Sequence, residues 1–354
     1  MGGGDLPQPQ VWRFAIEESK GSVQHRYAKR FEELVEGRTD GRVDVVVYPY
    51  GTLGTSTQIT EQLAMGVVEF AMASPGSLGK FIPELQVFLL HFVLPERQDD
   101  LRRVLRDPEL LAALDPLYAT KGLELLAVFS EGQMAWTLKQ EVRSPKDFGG
   151  LKMRVMTSPI LLAAYAAYGA SPTPMPYAEV YSGLQLNMID GQVNPVFAIE
   201  RQKFHEVTDR LIFPGHAAFI TTAVANRAFL EELPESLRSA VVTSLEELEP
   251  WIFAEQTGLE SQCLAEILRD KRRQRQAVHL VGDPVGLLGS LSPDDRRELV
   301  DANPYLQAEP PLSVDEVATL RAASLPIRDI FLEIGGPGAK SVLERVIALG
   351  DAAD

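Results

Sequence analysis

The chain of 354 residues has a single cysteine, Cys263. One thiol cannot close an intramolecular disulfide, and it cannot build a zinc site of several thiolates. It falls in a helical stretch, Gln262 to Leu268, and reads as a packed thiol rather than a nucleophile. Long apolar runs are also missing. Val87–Leu94, broken by His91, and Ile160–Gly169 fall far short of the ~20 residues that span a bilayer. Positive charge is scarce: 34 Lys+Arg against 49 Asp+Glu leaves a net charge of −15. Nucleic acid as a partner is thereby disfavoured, because phosphate binding needs a basic footprint. Any anion this chain binds must be held by a local cluster of donors. Met1-Gly2-Gly3-Gly4 has neither the basic region nor the apolar core of a signal peptide. We expect residues 1–10 to be an added or linking segment on a mature chain whose signal peptide has been removed.

Catalytic signatures are absent too. Gly335-Gly336-Pro337-Gly338-Ala339-Lys340-Ser341 resembles a phosphate loop but places Ala339 where the motif needs glycine before lysine. No Gly-x-Ser-x-Gly elbow occurs. The five histidines, His25, His91, His205, His216 and His279, show no metal-ligand spacing. These absences argue against an enzyme, a resident metal or a cofactor.

What is present is an alternation of strands and helices. Val11–Ile16 reads as a strand, and Ser22 as the cap of a helix from Val23 whose Phe31, Leu34 and Val35 share one face. Val43–Tyr48 is a β-branched run bounded by Pro49 and Gly51, a buried strand. Thr57–Met65 reads as a helix, Phe70–Ala73 as a strand and Pro75-Gly76 as a turn. Leu123–Phe129 and Ala135–Leu138 read as two strands on either side of Gly132. Leu151–Val155 is a strand, Ile160–Tyr168 a helix, and Pro172, Pro174 and Pro176 a stiff extended connection. Ala178–Leu186 is a helix, Gly191 opens a strand and Phe219–Ala225 is another. Such a rhythm predicts parallel strands covered by helices. From Pro234 to Arg275 runs one long helical pattern. It is acidic at its start (Glu231, Glu232, Glu235) and basic at its end (Arg269, Lys271, Arg272, Arg273, Arg275), which complements a helix dipole. A docking patch for a membrane partner is the other reading of the basic run.

Two segments carry candidate chemistry. In Gly150-Leu151-Lys152-Met153-Arg154-Val155, strand alternation puts Lys152 and Arg154 on one face and apolar residues on the other. A guanidinium on a fixed stem grips a carboxylate with two parallel hydrogen bonds. A surface arginine or a structural ion pair is the alternative. In the second segment, prolines pre-order the chain before the helix carrying Glu179, and Asp190-Gly191-Gln192-Val193-Asn194-Pro195 follows. An amide at Asn194 donates to a carboxylate and accepts from a hydroxyl.

At these residues the chain resembles the DctP-type solute-binding subunits of tripartite ATP-independent periplasmic (TRAP) transporters. The stretches that carry the likeness are Phe31-Glu32-Glu33-Leu34-Val35 with Arg38-Thr39-Asp40-Gly41-Arg42, Tyr48-Pro49 with Gly51-Thr52-Leu53-Gly54, Gly-Leu-Lys-Met-Arg-Val at 150–155, Gly-Ala-Ser-Pro-Thr-Pro-Met at 169–175, and Asp190 to Pro195. The resemblance implies a two-lobed periplasmic binding protein with discontinuous domains, crossover strands near Ser130–Gly132 and Phe219, and a long helix spanning both lobes. It implies residues 11–131 with 220–259 as lobe I, and 132–219 with 260–350 as lobe II. It implies that the lobes close on a small solute, which sodium-driven membrane subunits then import. By the same likeness Arg154 clamps a carboxylate, Asn194 assists and Tyr177 packs on the ligand. Glu17, Glu18 and Ser74 reach substituents, while Phe219 and His91 are further contacts.

One departure bears on the ligand. Many relatives carry a second arginine where this chain has Met134, followed by Ala135 and Trp136. A thioether does not grip a second carboxylate. Met134 and Trp136 are therefore expected to line a pocket for a small organic monoanion, with succinate or malate bound weakly. A receptor that feeds a sensor kinase, or an enzyme using Glu17, Glu179 or His216, are the rival functions.

Overall fold

The computed structural model of the protein describes residues 9–282, 286, 288–289 and 291–352. Most of the expected linking segment, residues 1–8, lies outside them. The chain opens with β1 (Gln10–Ala15), α1 (Val23–Arg38), β2 (Val43–Tyr48), α2 (Ser56–Ala64) and β3 (Phe70–Ala73). Then come α3 (Pro75–Leu78), α4 (Gln98–Leu105), α5 (Pro108–Ala119), β4 (Leu123–Leu138) and β5 (Lys152–Val155). The middle holds α6 (Pro159–Ala167), β6 (Ser171–Pro174), α7 (Val180–Gln185), β7 (Gly191–Pro195), α8 (Val196–Arg201), β8 (Arg210–Ile212) and β9 (Ala218–Asn226). After α9 (Arg227–Glu232) and α10 (Glu235–Gln274) come β10 (Val278–Val281), α11 (Pro293–Arg296), β11 (Leu306–Glu309), α12 (Val314–Ser324), α13 (Ile327–Ile334) and α14 (Ala339–Asp351).

These elements group into two compact units, each discontinuous in sequence. Unit 1 holds residues up to Ser74, Leu114–Val128 and Thr221–Glu255. Unit 2 holds Pro75–Ala113, Phe129–Ile220 and Gln256 onward. Residues 75–113, placed with lobe I from the sequence, group here with unit 2.

In unit 1 the strand order is β2-β1-β3-β9, with β1 parallel to β2 and β3, and β9 antiparallel to β3. The helices pack a ring cluster onto this sheet. Phe31 of α1 and Phe70 of β3 have centroids 5.1 Å apart, and Trp12 of β1 meets Phe229 edge-on at 5.3 Å. Ser22 caps α1 by accepting from the His25 N–H, as its position predicts. In unit 2 the order is β11-β10-β8-β4-β7-β5-β6. Here β4 runs antiparallel to both neighbours and the other pairs are parallel.

Three local expectations are corrected. Pro75-Gly76 does not end in a turn but opens the short helix α3. Pro172 and Pro174 lie in β6, which is paired only to β5. An edge strand tolerates prolines because its outer side needs no N–H donors. Ala135–Leu138 is not a separate strand but the second half of β4, which continues through Gly132. That glycine has φ +123°, and a Cβ there would collide with Glu260 Oε1 of α10.

The Glu260 contact is a buried carboxyl at a strand bend. Glu260 Oε1 accepts from the Gln133 backbone N–H at 3.1 Å, and Oε2 accepts from Gln256 Nε2 at 2.6 Å. Burial outweighs those two bonds and pushes the acid up to about 7. The basic end of α10 is spent on neighbours in unit 2: Arg269 pairs with Asp295, Arg272 with Glu298 and Arg273 with Asp270. Cys263 is buried, its Sγ 3.9 Å from Glu200 Oε2, as a packed thiol.

A raised carboxyl pKa stabilises the fold fully below its unfolded value near 4.5, and that stability is lost as pH rises through about 7. Glu260→Gln keeps the neutral shape. We expect the variant to match the wild type in thermal unfolding at pH 5. At pH 9 it should exceed the wild type by on the order of 3 kcal/mol. An equal pH dependence of the two proteins would show that Glu260 ionises without cost.

Candidate functional site

Strand register in unit 2 assembles the polar residues. Arg154 of β5 pairs with Gln192 of β7, and Gln192 pairs in turn with Thr137 of β4. Directly paired residues point to the same face of a sheet, so Arg154, Gln192 and Thr137 form a row. Asn194 is two residues on from Gln192 and shares its face. Side-chain bonds knit the row together: Gln192 Nε2 donates to Thr137 Oγ1 at 2.7 Å, and Asn194 Nδ2 donates to Gln192 Oε1. All four are buried, Arg154 at 3% exposure and Gln192 at 0%.

Arg154 is anchored by its own edge strand. Its Nε and Nη2 both donate to the Met175 carbonyl, at 3.0 and 2.8 Å. The Met175 N–H bonds back to the Val155 carbonyl at 3.4 Å. The segment after the prolines of β6 thus fixes the guanidinium orientation, which lowers the ordering cost of gripping a planar anion. A surface position does not describe this arginine, which is buried in unit 2. Just beyond β5 a cavity of about 240 Å³ opens in unit 2, lined by Gly76, Gly79, Lys80, Gln86, Thr157 and Ser158.

The other expected residues fall in three places. Tyr177 is half-buried on the turn after Pro176, edge-on to Phe204 at 6.1 Å. Met134, Trp136 and His91 are buried in unit 2, but not on the Arg154 face. Trp136 is adjacent to Thr137, so it points to the opposite side of β4, and Met134 shares that side. The Trp136 indole N–H donates to Tyr165 OH at 2.8 Å, and the ring meets Phe148 edge-on at 4.9 Å. The Trp136 indole N–H is thus satisfied within an aromatic cluster. His91 belongs to the same cluster: its Nδ1 is 2.7 Å from Tyr168 OH, and its ring lies 4.6 Å from His216. Phe219 is buried in β9, at 8% exposure. In unit 1, Glu17 Oε2 accepts from the Ser74 N–H at 2.7 Å, and the Glu17 N–H donates to Gln24 Oε1 at 2.8 Å. Those bonds join the ends of β1 and β3. Glu18 is buried beside them and its carbonyl accepts from Tyr50 N at 3.0 Å.

Gln192 and Thr137 were missed in the sequence. The signal was available: in Gln192-Val193-Asn194 the two amides alternate with an apolar residue, as on one face of a half-polar strand.

The histidine cluster has an electrostatic consequence. Burial pulls His91 down to about 3, and burial with the neighbouring His91 holds His216 well below the usual histidine range. Both imidazoles are neutral at pH 7. A depressed folded pKa gives stability that is complete above the unfolded value near 6.5 and lost as pH falls toward the folded one. We expect His91→Phe to be destabilised at pH 7.5 by about 1–2 kcal/mol, because the Tyr168 hydroxyl loses one of its partners. That gap should close as pH falls from 6 to 4 in denaturant titrations. A gap that widens in acid would contradict the neutral-pair account.

The described helices contain none long and apolar enough to cross a membrane. Residues 14–279 match the family model DctP, "bacterial extracellular solute-binding protein, family 7". The chain is 43% identical over 234 residues to the ectoine/5-hydroxyectoine-binding periplasmic protein UehA of Ruegeria pomeroyi, a match covering 66% of this chain and 68% of that one. It is 42% identical over 225 residues to the ectoine-binding periplasmic protein TeaA of Halomonas elongata, covering 63% and 65%. The solved structure of the ectoine-binding protein of the TeaABC TRAP transporter of Halomonas elongata superposes with a TM-score of 0.83 at 30% identity. It covers 97% of this chain and 100% of that one. A TRAP periplasmic solute-binding protein of Marinobacter aquaeolei, in an apo open structure, gives a TM-score of 0.79 at 38% identity over 95% and 99%.

Proposed function

We propose, on the premise that this chain belongs to the DctP family of bacterial extracellular solute-binding proteins, that it captures a small carboxylate-bearing solute in the periplasm for import by TRAP membrane subunits. The observation that carries the reading is the buried Arg154, pre-oriented by Met175 and set in a row with Gln192 and Asn194. That row is a donor set for one carboxylate. A solute carboxylate meets such a guanidinium with charge-assisted hydrogen bonds, and bidentate geometry adds specificity.

The solute we propose is a compact monocarboxylate of the ectoine type. Ectoine carries one carboxylate and one delocalised cationic amidine on a small ring. One feature favours that pairing over a dicarboxylate: unit 1 buries two acids, Glu17 and Glu18, and carboxylates repel a second anion and attract a cationic nitrogen. The UehA and TeaA proteins, whose names state ectoine binding, support the same choice. In this reading capture is a population shift, in which a solute that touches both lobes stabilises only their closed arrangement. Tyr177 and Phe219 are proposed as apolar contacts for the ring. The chemistry is binding and release, with no bond made or broken.

Isothermal titration of the purified protein tests this. Ectoine and 5-hydroxyectoine should bind at least about 100-fold more tightly than succinate, and Arg154→Ala should weaken ectoine by about 3 kcal/mol or more. Equal affinity for succinate would overturn the monocarboxylate reading. Undiminished ectoine binding by Arg154→Ala would remove Arg154 from the site.

A further inference from the structure

A second polar cluster lies elsewhere in unit 2, away from the Arg154 row. His205 and Glu206 sit on the 3-10 turn Phe204–Glu206 that follows α8, and Asp270 projects from α10. One ligand atom from each of the three lies within 4.8 Å of the others. The sequence hid this grouping because Asp270 is 65 residues from His205 in the chain.

The hydrogen bonds of His205 show what is missing. Its Nδ1 lies 3.3 Å from the Ile199 carbonyl oxygen. A carbonyl only accepts, so Nδ1 carries the proton. The other ring nitrogen, Nε2, faces Asp270 Oδ2 at 3.3 Å. With the proton on Nδ1, Nε2 faces the acid through its lone pair, and a cation placed between the two is coordinated by both. The pattern of one ring nitrogen on a backbone carbonyl and the other toward acids is how metal-bound histidines are oriented. The 3.3 Å separation equals the edge of a tetrahedron with ligand distances of about 2.0 Å.

We propose that His205, Glu206 and Asp270 form a binding site for a zinc-type divalent cation, with water in the fourth position. Imidazole with carboxylates suits such an ion. The surroundings hold the ligands in place: Tyr181 OH donates to Glu206 Oε2 at 3.2 Å, and Arg273 pairs with Asp270 Oδ1. Lys203 approaches Asp270 Oδ2 at 3.2 Å but holds Glu200 Oε1 more closely, at 2.8 Å. Its ammonium already marks the spot as cation-seeking. Metal binding moves Lys203 wholly onto Glu200. The site ties the turn after α8 to α10, so its role is to brace unit 2, independent of the solute proposed above.

The test uses the full chain stripped by chelator and titrated with zinc against a chromophoric competitor at pH 7.5. The wild type should take up one equivalent with micromolar or tighter affinity. His205→Gln and Asp270→Asn should each weaken uptake by more than about 10-fold, whereas His25→Gln, on α1, should not. Long-range nitrogen–proton NMR on the wild type gives a readout that does not depend on the variants folding. His205 should be protonated at Nδ1 before zinc, with its Nε2 resonance moving on addition. The proposal is overturned if the wild type takes up no zinc, if His205→Gln takes it up equally, or if the His205 Nε2 resonance does not move on zinc addition.

Discussion

A guanidinium removed from water governs the architecture around it. Arg154 is 3% exposed, and the Met175 carbonyl takes two of its N–H donors, which fixes the plane of the fork. A planar cation held in this way is prepared for a bidentate anion. The strand β5, the proline-bearing edge strand β6 and the register with β7 all serve to hold this one side chain in a fixed direction. Gln192 and Asn194 stand beside it because period-two alternation puts every second residue of β7 on the same face. The opposite face supplies rigidity. There Trp136, Tyr165, Tyr168, Phe148 and the two neutral histidines pack ring against ring. Preorganisation of the polar row thus rests on an apolar cluster one residue away along each strand.

A buried acid and a buried histidine pair in unit 2 act in opposite directions. Glu260, pushed up by burial, costs stability as the solution becomes alkaline, while His91 and His216, pulled down by burial, cost stability as it becomes acidic. Both are consequences of packing density around β4, whose bend at Gly132 brings α10 close enough to place a carboxyl against the strand. This opposition gives unit 2 a stability maximum between the two titrations.

Much of the framework could be read locally. Ser22 as a cap, Val43–Tyr48 as a strand and the dipole-matched charges of α10 depend on neighbours in sequence, and each is found where expected. Arg154 and Asn194 were singled out by alternation and by likeness to a known family, and register brings them together. What escaped depends on partners distant in the chain. Gly132 reads as a break between strands, yet its left-handed φ lets β4 continue past Glu260, 128 residues later. Trp136 is joined to Tyr165, 29 residues later, by a hydrogen bond that nothing in its local sequence announces. His205 and Asp270 carry no spacing signal at all, because a helix and a turn from remote segments bring them together.

The central claim is that the Arg154 guanidinium receives the carboxylate of the captured solute. A crystal structure of the protein grown with ectoine tests it most directly. The account predicts both carboxylate oxygens at about 2.7–3.0 Å from Arg154 nitrogens, with Asn194 donating to one of them. A bound solute whose carboxylate lies on other donors, out of hydrogen-bond reach of Arg154, would contradict it.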